Sequence, residues 1–130
     1  MDYDQKLDAV AKEINDSGVG IDLEAQHFFG EGVYVRVLSV PANHAFIGKK
    51  HKTNHVFALI QGKMAITDEN GKRAIYNAPY FFESKIGARR SLLALTDSIL
   101  MNAHATDTNK TIDEIEEALT VPLSNRVEKQ

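Results

Sequence analysis

The chain of 130 residues contains no cysteine. Disulfides, thiolate metal sites and cysteine nucleophiles are therefore excluded, and the redox compartment is left open. Long apolar runs are missing as well: none approaches the ~18 residues that a helical membrane span needs. The start, MDYDQK, offers neither the basic region nor the apolar region of a cleaved secretion signal, so a cytoplasmic location is expected. A positive excess is also lacking, with 15 Lys and Arg against 18 Asp and Glu and a net charge of -3. This argues against general nucleic-acid binding, which uses a basic face. What remains is an ordinary globular composition, 43% hydrophobic and 25% charged, sized for one domain of about 14 Å radius of gyration.

Hydrophobic spacing divides the chain into three parts. Leu7, Val10, Ala11 and Ile14 recur at intervals of three and four, predicting a short helix over about 3–16 that the glycines of NDSGVG stop. After Gly30-Glu31-Gly32 the period becomes two. VYVRVLSV alternates up to Pro41, and further strand signals follow at 55–60, 63–67, 72–76, 80–83, 91–95 and 98–104, separated by Gly, Pro and Asn-Gly turns. Short strands without intervening helices predict an antiparallel sandwich or barrel over about 31–105. Near the end, TIDEIEEAL places Thr111 and Glu114 at capping-box spacing, with Ile112, Ile115 and Leu119 on one face. A C-terminal helix over about 111–120 follows.

Within the strand region, two histidines four residues apart, His51 and His55, lie in the basic stretch KKHKTNHVFALIQGK. On an extended strand, positions 49, 51 and 55 share a face. This run and the one around Gly87 resemble the two motifs of the cupins, small double-sheet jelly rolls. The first cupin motif reads Gly, five residues, His-x-His, three or four residues, Glu, six residues, Gly. Anchored on Gly62, it places His55 at the Glu position, His51 at the second His, Lys49 at the first His and Asn43 at the leading Gly. The second motif reads Gly, five residues, Pro-x-Gly, two residues, His, three residues, Asn. Anchored on Gly87, it places Arg90 at the His, Lys85 at the Pro, Ala94 at the Asn and Pro79 at the first Gly. A looser pattern, with G-x-R-R and H-A-T-D before an acidic helix, is similar to small cupin-like proteins of tailed bacteriophages. The expected fold is thus mainly β, a single cupin-like antiparallel jelly roll with a short N-terminal and a C-terminal helix.

The four ligand positions of a metal-binding cupin here read Lys49, His51, His55 and Arg90. Two histidines make a partial site. A permanent cation ~6 Å from a divalent ion costs on the order of 5 kcal/mol at an effective dielectric of ~20, so the expectation is no metal or other cofactor, with His51 and His55 the residues to watch. His104 on the last strand is a candidate third ligand that no spacing argument places. The same charges favour a small anion or nucleotide held by Lys49, His51, His55, Arg89 or Arg90, and His104. An enzymatic reading would use His51 or His55 as base and Tyr34, Tyr76 or Tyr80 as acid, with Glu83 or Asp97 as the carboxylates nearest to hand. Phe28, Phe29, Phe81 and Phe82 read as core or subunit-contact aromatics. Because the catalytic set is incomplete, the sequence points first to a non-catalytic structural, assembly or accessory protein of phage type, acting as a homo-oligomer or with partner proteins. Capture of an anion comes second, and a metal-dependent or epimerase-like enzyme third.

Overall fold

A computed structural model describes residues 23–121 apart from 49, 69 and 108. The N-terminal helix expected over 3–16 and Lys49 lie outside these residues. Eleven strands and one helix are described: β1 Glu24–Gly30, β2 Val33–Val40, β3 Ala45–Ile47, β4 Lys50–His51, β5 His55–Gln61, β6 Lys63–Thr67, β7 Arg73–Asn77, β8 Tyr80–Ser84, β9 Ser91–Ala94, β10 Ser98–Ala105, α1 Ile112–Leu119 and β11 Thr120–Val121. Among them no helix is long and apolar enough to cross a membrane.

The strands form a five-stranded sheet in the order β1-β2-β10-β5-β8 and a four-stranded sheet in the order β3-β9-β6-β7, with β11 and β4 as a small separate pair. All pairings are antiparallel. β10, late in the chain, is inserted between β2 and β5, which is the long-range crossing of a jelly roll. The core lies between the sheets: Leu38, Val40, Phe57, Leu59 and Leu100 from one meet Met64, Ile66, Leu92 and Ala94 from the other. Burying these side chains is the main source of stability, at roughly 1.5–3 kcal/mol for each large one.

The jelly roll begins earlier than the alternation predicts. β1 pairs with β2 along its whole length, from Glu24↔Ser39 to Gly30↔Val33, so the sheet starts at Glu24 and not near residue 31. Its sequence, EAQHFFG, mixes polar and aromatic residues on both faces and shows no clean period of two. Phe28, Phe29 and Phe81 are exposed and do not belong to the core. Phe82 alone of the four packs against it.

Glycines are needed where the strands reverse. Gly62 at φ 95° and Gly87 at φ 81° occupy the left-handed region, and so does Asn43 at φ 67°. All three stand at glycine positions of the cupin pattern, and asparagine is among the few other residues that adopt this conformation readily.

α1 forms where its cap predicts. The Thr111 backbone N–H donates to Glu114 Oε1 at 2.9 Å, and the Glu114 N–H donates back to Thr111 Oγ1 at 3.2 Å, the reciprocal capping box. Ile115 and Leu119 are buried against Tyr34. At the other end, Lys52 donates its backbone N–H to the Leu119 carbonyl (2.6 Å) and its Nζ to the Glu117 carbonyl (2.8 Å), satisfying acceptors that a helix terminus leaves open.

Candidate metal centre

The inner face of the five-stranded sheet changes character along the strands. Cross-strand pairing puts Ala25, Leu38, Leu100, Leu59 and Tyr80 in one row. The next row toward the helix is His27, Arg36, Asn102, Phe57 and Phe82. Beyond it Phe29 pairs with Tyr34, Tyr34 with His104, and His55 with Ser84. Because side chains alternate at a period of two, a polar end wall follows directly from Tyr34, Arg36, Asn102, His104 and His55 standing at inward positions. His51, on the short β4, approaches the same end.

These elements bring three histidines together. One ring nitrogen from each of His51, His55 and His104 lies within 4.8 Å of the others. The ring centroids are 4.2 Å apart for His51 and His55, 4.3 Å for His55 and His104, and 5.2 Å for His51 and His104. His55 and His104 are buried, at 5% and 4% exposure. Asn102 Oδ1 accepts from His55 Nε2 at 2.8 Å, which puts the proton on Nε2 and the lone pair on Nδ1. Nδ1 of His55 and Nδ1 of His104 are both buried with no hydrogen bond. The Thr53 backbone also contacts the His55 ring.

Burial keeps these rings neutral. It is the largest influence lowering the His55 pKa; the Asn102 and Thr53 contacts oppose it and Arg90 adds to it. His104 is driven down to about 4, first by burial and then by the charges of His55 and Arg36. Both imidazoles therefore present lone pairs at neutral pH.

Tyr34 closes one side of the cluster. It is buried, stacks on His104 at 6.0 Å and shares a 2.7 Å hydrogen bond with His27 Nδ1. Burial raises its phenol pKa first, with Arg36 lowering it and Glu116 raising it.

The remaining predicted site residues are dispersed. Arg90 acts on His55 through its charge, while its Nη1 donates to Ser84 Oγ at 3.0 Å and its guanidinium lies 4.8 Å over the Phe82 ring. Arg89 is buried, with Nε donating to the Gly48 carbonyl at 3.0 Å. Glu83 is exposed and pairs with Lys85 at 2.5 Å, and Asp97 Oδ1 accepts from the Ala42 N–H at 2.9 Å. Neither carboxylate orients a histidine. Tyr76 and Tyr80 pack on each other, their rings tilted by 37° and 4.6 Å apart. Two further residues of the end wall escape a reading of spacing alone. One is Asn102, two residues before His104 on the same strand face, and the other is Arg36, whose buried Nε has no partner.

The donor set suits a divalent ion. Two ligands bound at ~2.1 Å around one tetrahedral ion are about 3.4 Å apart, and the three ring nitrogens here lie within 4.8 Å of one another. Three imidazoles, two of them kept neutral by burial, with an outer acceptor fixing one tautomer are a familiar metal environment.

No protein-family model matches the chain, and no curated protein matches it by sequence. Solved structures do match, and they define a cupin fold. Salicylate 1,2-dioxygenase from Pseudoaminobacter salicylatoxidans is similar at TM-score 0.62 and 15% identity, over 95% of this chain but 36% of the dioxygenase. An RmlC-like cupin from Shewanella frigidimarina is similar at TM-score 0.57 and 14% identity, over 70% of this chain and 82% of its own. The cupin domain of Schizosaccharomyces pombe Cnp3 follows at TM-score 0.54 and 19% identity, covering 79% of each chain. At these identities the likeness is one of fold.

Proposed function

We propose that this chain is a metal-binding cupin whose His51, His55 and His104 hold one divalent ion and whose cationic surroundings bring a small anion to it. The observation that supports this reading is the pair of buried Nδ1 atoms, on His55 and His104, that have no partner inside a cluster of three imidazoles. Each buried polar atom left unbonded costs about 1–3 kcal/mol. A protein whose only task is to pack against others gains nothing from keeping them.

When bound, the ion would supply Lewis acidity and open positions for water or another small ligand. The chain does the rest. Asn102 holds the His55 tautomer, Tyr34 covers the His104 ring, and burial keeps both rings deprotonated. The cluster contains no carboxylate among the described residues, so an ion there keeps its full charge. Arg36 and Arg90 add to the positive potential, which favours an anionic partner. The sequence alone weighs against a metal. One feature changes the balance: His104 brings a third imidazole beside His51 and His55.

Metal content tests the reading. Protein purified without chelator is expected to carry close to one equivalent of a first-row divalent metal, or to take up Co²⁺ with a ligand-field absorption band. His104→Ala should weaken uptake by about two orders of magnitude. Less than a tenth of an equivalent, with no Co²⁺ or Zn²⁺ binding at about 100 μM, would remove it. A metal-free anion pocket is the second reading, favoured by the unpartnered Nε of Arg36. In that case phosphate or nucleotides raise the melting temperature of chelator-treated protein, and Arg36→Ala abolishes the shift. The phage-type accessory or assembly role expected from the sequence draws no support from these atoms.

A further inference from the structure

The three histidines are not held alike. His104 stands in β10, a strand of eight residues paired with β2 on one side and β5 on the other, and His55 stands in β5, which pairs with β10 and β8. Both belong to the wall of the five-stranded sheet. His51 belongs to β4, a strand of two residues. Among the described residues the ladder partner of β4 is β11, through Thr120↔His51 and Val121↔Lys50. The bond from the Lys52 N–H to the Leu119 carbonyl carries that ladder one step further, and a bond from the Gly87 N–H to the His51 carbonyl at 3.1 Å ties β4 to the turn before β9. A ribbon this short is not stable by itself. β11 follows α1 without a break, and α1, with eight residues, is also too short to persist alone in water. What keeps the segment in place is the seat of Ile115 and Leu119 on Tyr34, a cluster separate from the core between the sheets.

We infer that α1 and β11 form a strap that closes the metal centre: they deliver His51 to an ion that His55 and His104 hold from the sheet, and the ion leaves when the strap lifts. This role rests on the metal-binding function proposed for the chain and adds to it how the site is filled and emptied. Three observations support it. Leu119, the last residue of α1, directly precedes Thr120, the residue paired with His51, so a displacement of the last helical turn acts on the ligand strand. Tyr34, on which the strap is seated, stacks on His104 at 6.0 Å, which places the strap over the cluster. The contacts of the strap lie outside the main core, so it opens without unfolding the barrel. With His51 withdrawn the ion keeps two protein ligands, fewer than a tight site uses. Leu119 is thus a positioning residue, acting on the ion through His51.

Co²⁺ binding to the full chain, read by its ligand-field band and by competition with a chelator, tests the strap. Leu119→Asp, which puts a charge into the cluster with Tyr34, should weaken binding about 10- to 100-fold and change the band to that of His51→Ala. Leu119→Met, close in volume, should keep the wild-type band and affinity. In His51→Ala/Leu119→Asp the loss should be no larger than in His51→Ala alone, because the strap acts through that one ligand. Additive losses in the double variant, or wild-type affinity in Leu119→Asp, overturn the inference. Amide exchange of the metal-free protein supplies a second measurement. Leu119→Asp should speed exchange at Lys52 and leave β5 and β6 protected. Unchanged exchange at Lys52 overturns the strap, and so does a loss of protection throughout β5 and β6, since the segment would then be part of the barrel. The two readings fail differently: wild-type protein that takes up no Co²⁺ fails the metal centre itself, whereas wild-type protein that takes it up with no response to Leu119→Asp fails the strap alone.

Discussion

His104 shows how one residue's setting decides its protonation. Buried between Tyr34 and His55, its ring is held to a pKa of about 4 against the ordinary 6.5. The unfolded chain takes up this proton near pH 6.5 and the folded chain only near pH 4. The neutral ring therefore contributes fully to stability above about pH 6.5, and that contribution is lost as pH falls toward 4. The loss is on the order of 2–3 kcal/mol, with His55 acting in the same direction. Urea midpoints of chelator-treated protein should fall between pH 6.5 and 4.5, and His104→Asn should flatten that slope while carboxylate titration continues below it. An equal slope in the variant would place the proton uptake elsewhere. His51 and His55 were legible in the sequence as a close pair, but not as one strand face: they stand on separate strands, β4 and β5, which the bend at 52–54 brings together. His104 was visible as a residue but not as a neighbour. Only the insertion of β10 between β2 and β5 brings it within reach, and 49 positions of sequence separate it from His55.

At the level of elements, the strands with an alternating pattern were legible nearly to the residue, as β2 and β6 show. That Arg36 faces inward could not be read from the sequence, for a physical reason. In VYVRVLSV the inward set is Tyr34, Arg36, Leu38 and Val40 and the outward set Val33, Val35, Val37 and Ser39. With apolar residues on both sides, the period is present but the inward direction is not. β3, β4 and β11 span two or three residues each; tertiary pairing makes them, not local preference. Turns were more explicit. A Cβ at Gly62 would fall on Ser98 Oγ and come within 2.6 Å of the Asp97 carbonyl and 2.8 Å of Ser98 Cα, whereas Gly71 has open space around it. Both glycines have positive φ. Gly62→Ala should therefore cost about 2–4 kcal/mol and Gly71→Ala about 1, a difference that denaturant midpoints resolve. Similar losses for the two would mean that the β5–β6 turn relaxes freely.

Across the whole molecule the polar and apolar halves of the barrel make different demands on folding. The end near Leu59 and Met64, both fully buried, is held by side-chain packing and needs no ligand. The histidine end is closed by elements that reach it from far along the chain: β4 pairs with β11 through Thr120↔His51, Lys52 bonds to the last carbonyls of α1, and Ile115 and Leu119 rest on Tyr34. An ion held as proposed by His51, His55 and His104 would join β4, β5 and β10 at that end, and a ligand present at 100 times its dissociation constant adds about 2.7 kcal/mol to stability. For a domain near 100 residues this corresponds to roughly 10 °C or more in Tm. Chelation should lower the melting temperature by about that amount. Amide exchange should then speed up in 50–55 and 112–121 well before it does in β5 beyond Phe57 or in β6, because opening the metal end does not expose the packed one. Uniform loss of protection along the chain would show instead that the two halves unfold as one unit and that the histidine cluster is wired into the core.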